Sequence, residues 1–236
     1  MYQNKRILGL VVGRGGSKGI PRKNIRLLAG KPLIAYSVLP GKESKYIDRL
    51  IVSSDDAEII EVAKSYGAEA PFVRPAELAS DTAKALPVIQ HAVKFCEEQE
   101  GKKYDFVVYL EPTGPLRLVG DIDGAIEKAA DNNADSVVGL MELEDANPVR
   151  VKKIVNDQIE CFCVPEPEGL RRQDQEKAYL RNGSIYVFCR DNIIENNSLW
   201  GQKSMPYVMP RERSVNIDEE SDFLVAEFFL KKTGRA

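Results

Sequence analysis

The sequence predicts an α/β fold of three layers, a mainly parallel sheet wound with helices on both sides. Three observations carry this. Short β-rich runs alternate with helical patterns over the first 140 residues, as in successive strand–helix–strand crossovers. Runs such as Phe106–Leu110 (Phe-Val-Val-Tyr-Leu) are continuously apolar, as strands covered on both faces are. A glycine loop follows the first strand, and sheets of this kind bind ligands beyond the carboxyl ends of their strands.

In chain order, Ile7–Val12 reads as the first strand and opens into Gly13-Arg-Gly-Gly-Ser-Lys18. Pro32–Leu39 reads as a helix with proline in its first turn. Leu50–Ser53 is a second strand and Asp56–Tyr66 a helix. The apolar helical stretch Leu86–Phe95 carries His91, the only histidine, for which a structural role is expected. Phe106–Leu110 and Ser136–Leu140 are strands, with the helical segment Asp121–Asn132 between them.

The rhythm changes after residue 141. Val151–Val155 and Ile159–Val164, separated by Asn156-Asp157-Gln158, predict a hairpin, and Pro165–Lys177 is polar. Asn182-Gly183 reads as a turn before the strand Ser184–Phe188. Asp222–Lys232 closes the chain as a helix whose Phe223, Ala226 and Leu230 face the core. One domain over 1–236 is expected, with an antiparallel insertion at about 145–181 that serves as a lid or dimer arm.

With 236 residues, 43% of them hydrophobic, the chain can bury a full core. No apolar run approaches the ~20 residues that span a bilayer, so no membrane partner is expected. Glycines 13, 15, 16 and 19 with Pro21 rule out an amphipathic transit helix, and no signal peptide is visible. A cytoplasmic protein is expected. Cysteines 96, 161, 163 and 189 form no zinc spacing and read as reduced thiols.

Charge is distributed unevenly. The first 42 residues hold nine lysines and arginines and no acid, while the whole chain is −3. A segment of +9 therefore precedes a remainder of −12. The cations are a local device for one anion and do not make a nucleic-acid-binding surface. Neither GxxxxGK[ST] nor GxGxxG fits, since Lys18 takes the third glycine position of the latter. What remains is a loop whose glycines admit an anion closely, ringed by Arg14, Lys18, Arg22, Lys23 and Arg26. Phosphate binding is the reading that fits this context.

Arg14-Gly-Gly-Ser-Lys-Gly-Ile-Pro-Arg-Lys-Asn24 resembles the N-terminal signature of the acylneuraminate cytidylyltransferases, or CMP-sialic acid synthetases, and of their relatives acting on legionaminic and pseudaminic acids. Four further segments match in order: Arg74-Pro-Ala-Glu-Leu-Ala-Ser-Asp-Thr82, Leu110-Glu-Pro-Thr-Gly-Pro-Leu-Arg117, Asn182-Gly-Ser-Ile-Tyr186 and Ser214-Val-Asn-Ile-Asp-Glu-Glu-Ser-Asp222. The resemblance implies a Rossmann-like nucleotidyltransferase fold and a homodimer. It also implies the reaction: the anomeric hydroxyl of a nonulosonic keto-sugar acid attacks the α-phosphate of CTP, giving CMP-sugar and pyrophosphate.

The same resemblance implies residue roles. Arg14, Gly15, Gly16, Ser17, Lys18, Lys23, Asn24 and Thr113 would hold CTP, and Arg74 would read cytosine. Arg14, Lys23 and Asp218 would be catalytic, because fixed cations stabilise charge developing on the phosphate oxygens. Glu111, Arg150, Arg172, Arg181, Asn182 and Tyr186 would contact the sugar, although Tyr186 also suits a strand aromatic in the core. Asp218 and Asn216 would carry Mg2+ (or Mn2+), although Asp218 also stands where a helix N-cap would.

Two positions depart from the family. Asn216 replaces the first aspartate of Asp-Ile-Asp, and Glu111 stands where glutamine is usual. Glu111 is expected to compensate in part for Asn216, on the metal or toward a differently substituted sugar. Two other readings stay open: a nucleotidylyltransferase for a sugar phosphate or phosphonate, with GTP as a further base choice, and a catalytically weak nucleotide-binding relative.

Overall fold

A computed structural model describes residues 1–16, 19–144 and 146–235. The strand β1 (Ile7–Val12) is buried, one place in from an edge of the sheet. Its odd apolar residues Ile7 and Val11 enter one buried cluster and Leu8 and Leu10 the other, as alternation across a pleat requires. The short strands β2 (Leu27–Leu28) and β3 (Lys31–Pro32) pair antiparallel before α1 (Ala35–Glu43). Then follow β4 (Arg49–Ser53), α2 (Ala57–Tyr66), α3 (Ala85–Glu100), β5 (Phe106–Leu110), α4 (Val119–Asp131) and β6 (Ser136–Leu143).

The second half holds β7 (Lys152–Val155), β8 (Gln158–Cys161), β9 (Ala178–Cys189), α5 (Arg190–Ile194), β10 (Ser204–Val208) and α6 (Glu220–Lys232). The six-stranded sheet runs β10-β6-β9-β5-β1-β4. β1 is parallel to β4 and β5, and β10 is parallel to β6, while β9 runs antiparallel to both its neighbours. Val38 of α1, Ile59 of α2 and Ile126 of α4 pack one face, and Ile89 of α3 and Ile193 of α5 pack the other. The expected three-layer α/β fold with a mainly parallel sheet is present. A third cluster seats Phe223, Ala226 and Leu230 of α6 on Ile20, Leu33 and Ile217, beside the glycine loop.

Several local expectations need correction. Pro32 does not open a helix: it pairs with Leu27, and the helix begins only at Ala35. Pro32 carries no N–H, so the bonds that close this bend come from Leu33 to Arg26 and from Ile34 to Asn24. Asn182-Gly183 is no chain reversal either. β9 continues through it, with a register shift opposite Val138–Leu140 that Gly183 absorbs at φ +66°. The hairpin loop is two residues, Asn156 and Asp157, both at positive φ, as a primed turn demands. The edge strand β10 was not anticipated. Asp145 lies outside the described residues.

Candidate active site

A cavity of about 690 Å³ opens beyond the carboxyl ends of β1 and β5. Arg14, Lys23, Asn24 and Arg74 line it on the cationic side. Glu111, Thr113, Asn216 and Asp218 line it as well, although Asn216 and Asp218 follow the loop by almost two hundred residues. The structure thus brings together eight of the residues singled out from sequence.

The loop is held in place from below. Gly13 N–H donates to the Ser53 carbonyl at 3.1 Å. Asn24 is buried, and its Nδ2 donates to the Arg14 carbonyl at 3.0 Å, so it braces the loop from inside. Gly15 N–H donates to Asp55 Oδ1 at 3.2 Å, and a β-carbon at Gly15 would come within 2.8 Å of Asp56 Oδ2. Asp56 caps α2 by accepting from Ile59 N–H at 3.0 Å. Arg22 Nη1 donates to the same carboxylate, and this guanidinium holds the Asp56 carboxyl below the usual range. Ser17 and Lys18 lie outside the described residues.

Arg74 is buried, with Nη2 donating to the Gly13 carbonyl at 2.9 Å and to Asp55 Oδ1 at 3.2 Å. Its Nε is buried without a hydrogen-bond partner among the described residues. Arg14 Nη1 reaches across the cavity mouth to Asp81 Oδ1 at 2.7 Å. Asp55 and Asp81 were not anticipated as site residues. Asp55 lies just past the carboxyl end of β4, at the ligand-binding edge, and Asp81 sits inside a family-like segment, so position could have found both.

Lys23 Nζ donates to the Ile217 carbonyl at 2.7 Å and to Asp218 Oδ1 at 3.2 Å. Asp218 Oδ2 accepts from Asn216 Nδ2 at 2.6 Å. Asn216 Oδ1 points elsewhere: a β-carbon built on Gly183 would lie 3.0 Å from it and 3.1 Å from Glu111 Oε2. The asparagine carbonyl and the glutamate therefore converge on one small gap. Burial pushes the Glu111 carboxyl up and Asp218 adds to that, while Arg117 and Tyr109 oppose it. Asp218 is not the cap of α6; Glu219 is, and Asp218 N–H donates to Asp222 Oδ2 at 2.8 Å.

Other candidates stand away from this cavity. Arg150 is exposed in a single 3-10 turn, Pro148–Arg150. Arg172 pairs with Glu144 at 3.0 Å. Arg181 lies over the Trp200 ring at 5.2 Å, beside an apolar groove along β6, β9 and β10. Asn182 is buried and bonds Ser214 Oγ at 3.0 Å. Tyr186 is buried, with its ring 5.8 Å from Phe188 and 5.9 Å from Tyr109. His91 packs edge-on against Phe72, outside the cavity.

Among the described residues, no three histidine, cysteine, aspartate or glutamate side chains form a metal cage. Magnesium needs none, since it binds through one or two carboxylates with substrate phosphates and water. Asp218, Glu111 and the Asn216 carbonyl are hard oxygen donors of that kind lining one cavity, the latter two at the gap beside Gly183. Among the described residues, no helix is long and apolar enough to cross a membrane.

A loop of cations and tethered glycines at the carboxyl edge of a parallel sheet, facing carboxylates across a cavity, defines a phosphate-handling α/β enzyme. The chain belongs to the cytidylyltransferase family, whose sequence model matches residues 8–224. Pseudaminic acid cytidylyltransferase of Campylobacter jejuni is 36% identical over 225 residues, covering 95% of this chain and 96% of that protein. CMP-N,N'-diacetyllegionaminic acid synthase of the same species is 34% identical over 226 residues, covering 95% and 94%. Among solved structures, a CMP:2-keto-3-deoxy-manno-octonic acid synthetase complexed with CTP has the same fold, with a TM-score of 0.70 at 15% identity over 97% of this chain and 99% of that one.

Proposed function

We propose that the protein transfers CMP from CTP to the anomeric hydroxyl of a nonulosonic acid. The observation that carries this is one cavity in which Arg14, Lys23 and Arg74 face Glu111 and Asp218, in a chain whose relatives include pseudaminic and legionaminic acid cytidylyltransferases. The acceptor oxygen attacks the α-phosphorus, the bond to the β-bridging oxygen breaks, pyrophosphate leaves and the hydroxyl proton passes to solvent. Arg14 and Lys23 neutralise charge on the phosphate oxygens, and the Gly15 and Gly16 backbone lets them approach closely. Thr113, on the turn after β5, faces the same phosphates. Ser17 and Lys18 complete this loop in the proposal, and Arg74 meets the base.

Asp218 and Asn216, with Glu111 beside them, would hold Mg2+ (or Mn2+), which would supply further charge neutralisation on the triphosphate. Arg150, Arg172, Arg181, Asn182 and Tyr186 are assigned to the acceptor side. The reading includes a homodimer: the hairpin β7–β8 exposes Ile154 (78%) and Ile159 (76%) as a cross-strand pair, and an isolated two-stranded ribbon is marginal in water. It also includes a cytoplasmic location, which suits four unpaired cysteines.

The test is pyrophosphate release from CTP, GTP, UTP or ATP with pseudaminic, legionaminic or N-acetylneuraminic acid, a sugar phosphate or a phosphonate. Release with CTP and a nonulosonic acid is expected. Release confined to a phosphorylated or phosphonate acceptor would overturn the reading. Light scattering should give twice the chain mass.

A further inference from the structure

Arg117 ends one of the family-like segments and has no role in the scheme above. It is 0% exposed and, among the described residues, the largest fully buried side chain. Its Nε donates to the Ser184 carbonyl at 2.5 Å, its Nη1 to Ser37 Oγ and its Nη2 to the Glu111 carbonyl. All three acceptors are neutral, and no carboxylate among the described residues lies within ion-pair distance of it. A guanidinium buried without a directly paired anion is costly to stability: burial pulls its pKa below the ordinary value, and the Glu111 and Asp121 carboxylates, acting from beyond ion-pair distance, offset this only in part. A fold that needed only packing here would be served by an apolar side chain.

The three acceptors belong to three different elements. Ser37 is in α1, Glu111 opens the turn after β5, and Ser184 is in β9 next to Gly183. Ser37 Oγ donates to the Glu111 carbonyl as well, at 3.2 Å. The turn closes tightly on β9, since a β-carbon on Gly114 would lie 2.8 Å from Ser184 Cα and 3.1 Å from Arg117 Nη2. From that turn the Thr113 carbonyl accepts from Ile217 N–H at 2.8 Å, which ties in the segment carrying Asn216 and Asp218.

We infer that Arg117 is a positioning residue: its three bonds set the register of the Glu111–Thr113 turn against β9 and, through Thr113 and Ile217, the placement of Asn216 and Asp218 opposite the glycine loop. The guanidinium is used because its planar fork reaches three divergent oxygens at once. It touches neither Arg14 nor Arg74, so the loop's share of nucleotide affinity is untouched, and only the contact proposed for Thr113 moves with the turn.

The inference rests on the proposed transfer of CMP to a nonulosonic acid only for its kinetic arm. Arg117→Lys keeps the charge and loses the fork; Ser37→Ala removes one anchor and is mild enough to fold. Displacement of reacting groups by a fraction of an ångström predicts a fall in kcat of about tenfold or more for Arg117→Lys. Ser37→Ala should fall less, in the same direction, and in both variants the Kd for CTP should change by a smaller factor than kcat, since Arg14 and Arg74 keep their places. In the nucleotide-free protein, amide exchange at Ile217 should quicken in both variants while the amides of β4 keep wild-type protection. Unchanged kcat, or CTP binding and β4 protection lost together with turnover, would overturn the inference. Should wild type turn over with no acceptor, the proposed function fails, and the exchange pattern alone decides the role of Arg117.

Discussion

Lys23 and Asp218 meet at 3.2 Å although 195 positions separate them. The lysine is 15% exposed and the aspartate 66%, so the pair itself adds less than about 1 kcal/mol to stability. Lys23→Ala also loses the bond from Nζ to the Ile217 carbonyl, about 1 kcal/mol, so Tm should fall by about 2–6 °C. It should lower kcat/KM by about 100-fold or more, the usual effect of losing a donor that stabilises transition-state charge. Steady-state kinetics and a thermal melt check both halves.

Glu111 and Asn216 converge on the gap at Gly183, so their contributions to metal use should be coupled. Asn216→Asp should lower the Mg2+ concentration for half-activation, and Glu111→Gln should raise it. The double variant should differ from the sum of the two by about 0.5 kcal/mol or more, as for residues in contact. Mg2+ titrations of the four proteins, with Mn2+ binding followed by EPR, measure this. Strict additivity would sink the compensation idea.

Gly183 holds φ +66° within a strand, close to both of those side chains. Gly183→Ala should destabilise the protein by about 1 kcal/mol from backbone strain. It should also weaken Mg2+ activation, because the new methyl group would displace Glu111 and Asn216. A urea titration and a Mg2+ curve separate the two effects.

Asp56 caps α2 and accepts from Arg22. Its carboxyl is depressed, chiefly by Arg22, so the stabilisation is present above the ordinary aspartate value and is lost as pH falls through the depressed one. Asp56→Ala should destabilise at pH 7 by about 1–2 kcal/mol, the usual loss of an N-cap. The gap between variant and wild type should narrow once pH falls below the ordinary aspartate value, which melts over a series of acid pH values would show.

Much of this was legible from sequence, for physical reasons. β1 and β5 are buried on both faces, so their apolar runs stand out, and the glycine loop is an unbroken string of residues with one job. The fold of the second half was harder to read. β10 is an edge strand whose Ser204, Pro206 and Val208 alternate with half-buried neighbours, leaving a weak pattern with a proline that argues against a strand. Asn182-Gly183 has the composition of a turn, but β9 is paired to β6 both before it, at Ala178–Arg181, and after it, at Tyr186–Phe188, so the chain runs on through a shift in register. The carboxylate half of the site was named from the family resemblance. Its actual arrangement, with Asn216 Oδ1 turned from Asp218 toward Glu111, depends on contacts between distant segments that no local pattern encodes.

β6 and β9 stay paired beyond the sheet proper, with Met141 opposite Leu180 and Leu143 opposite Ala178. The segment between them thus departs and returns through two adjacent, mutually bonded strand ends, like a flag on a rigid pole. Changing the length of such an excursion adds little closure entropy and leaves the pairing below it intact. The excursion should consequently be replaceable without disturbing the sheet. Exchanging it for that of a relative should carry over whatever the arm recognises, while Lys23 and Asp218 remain in register beneath it.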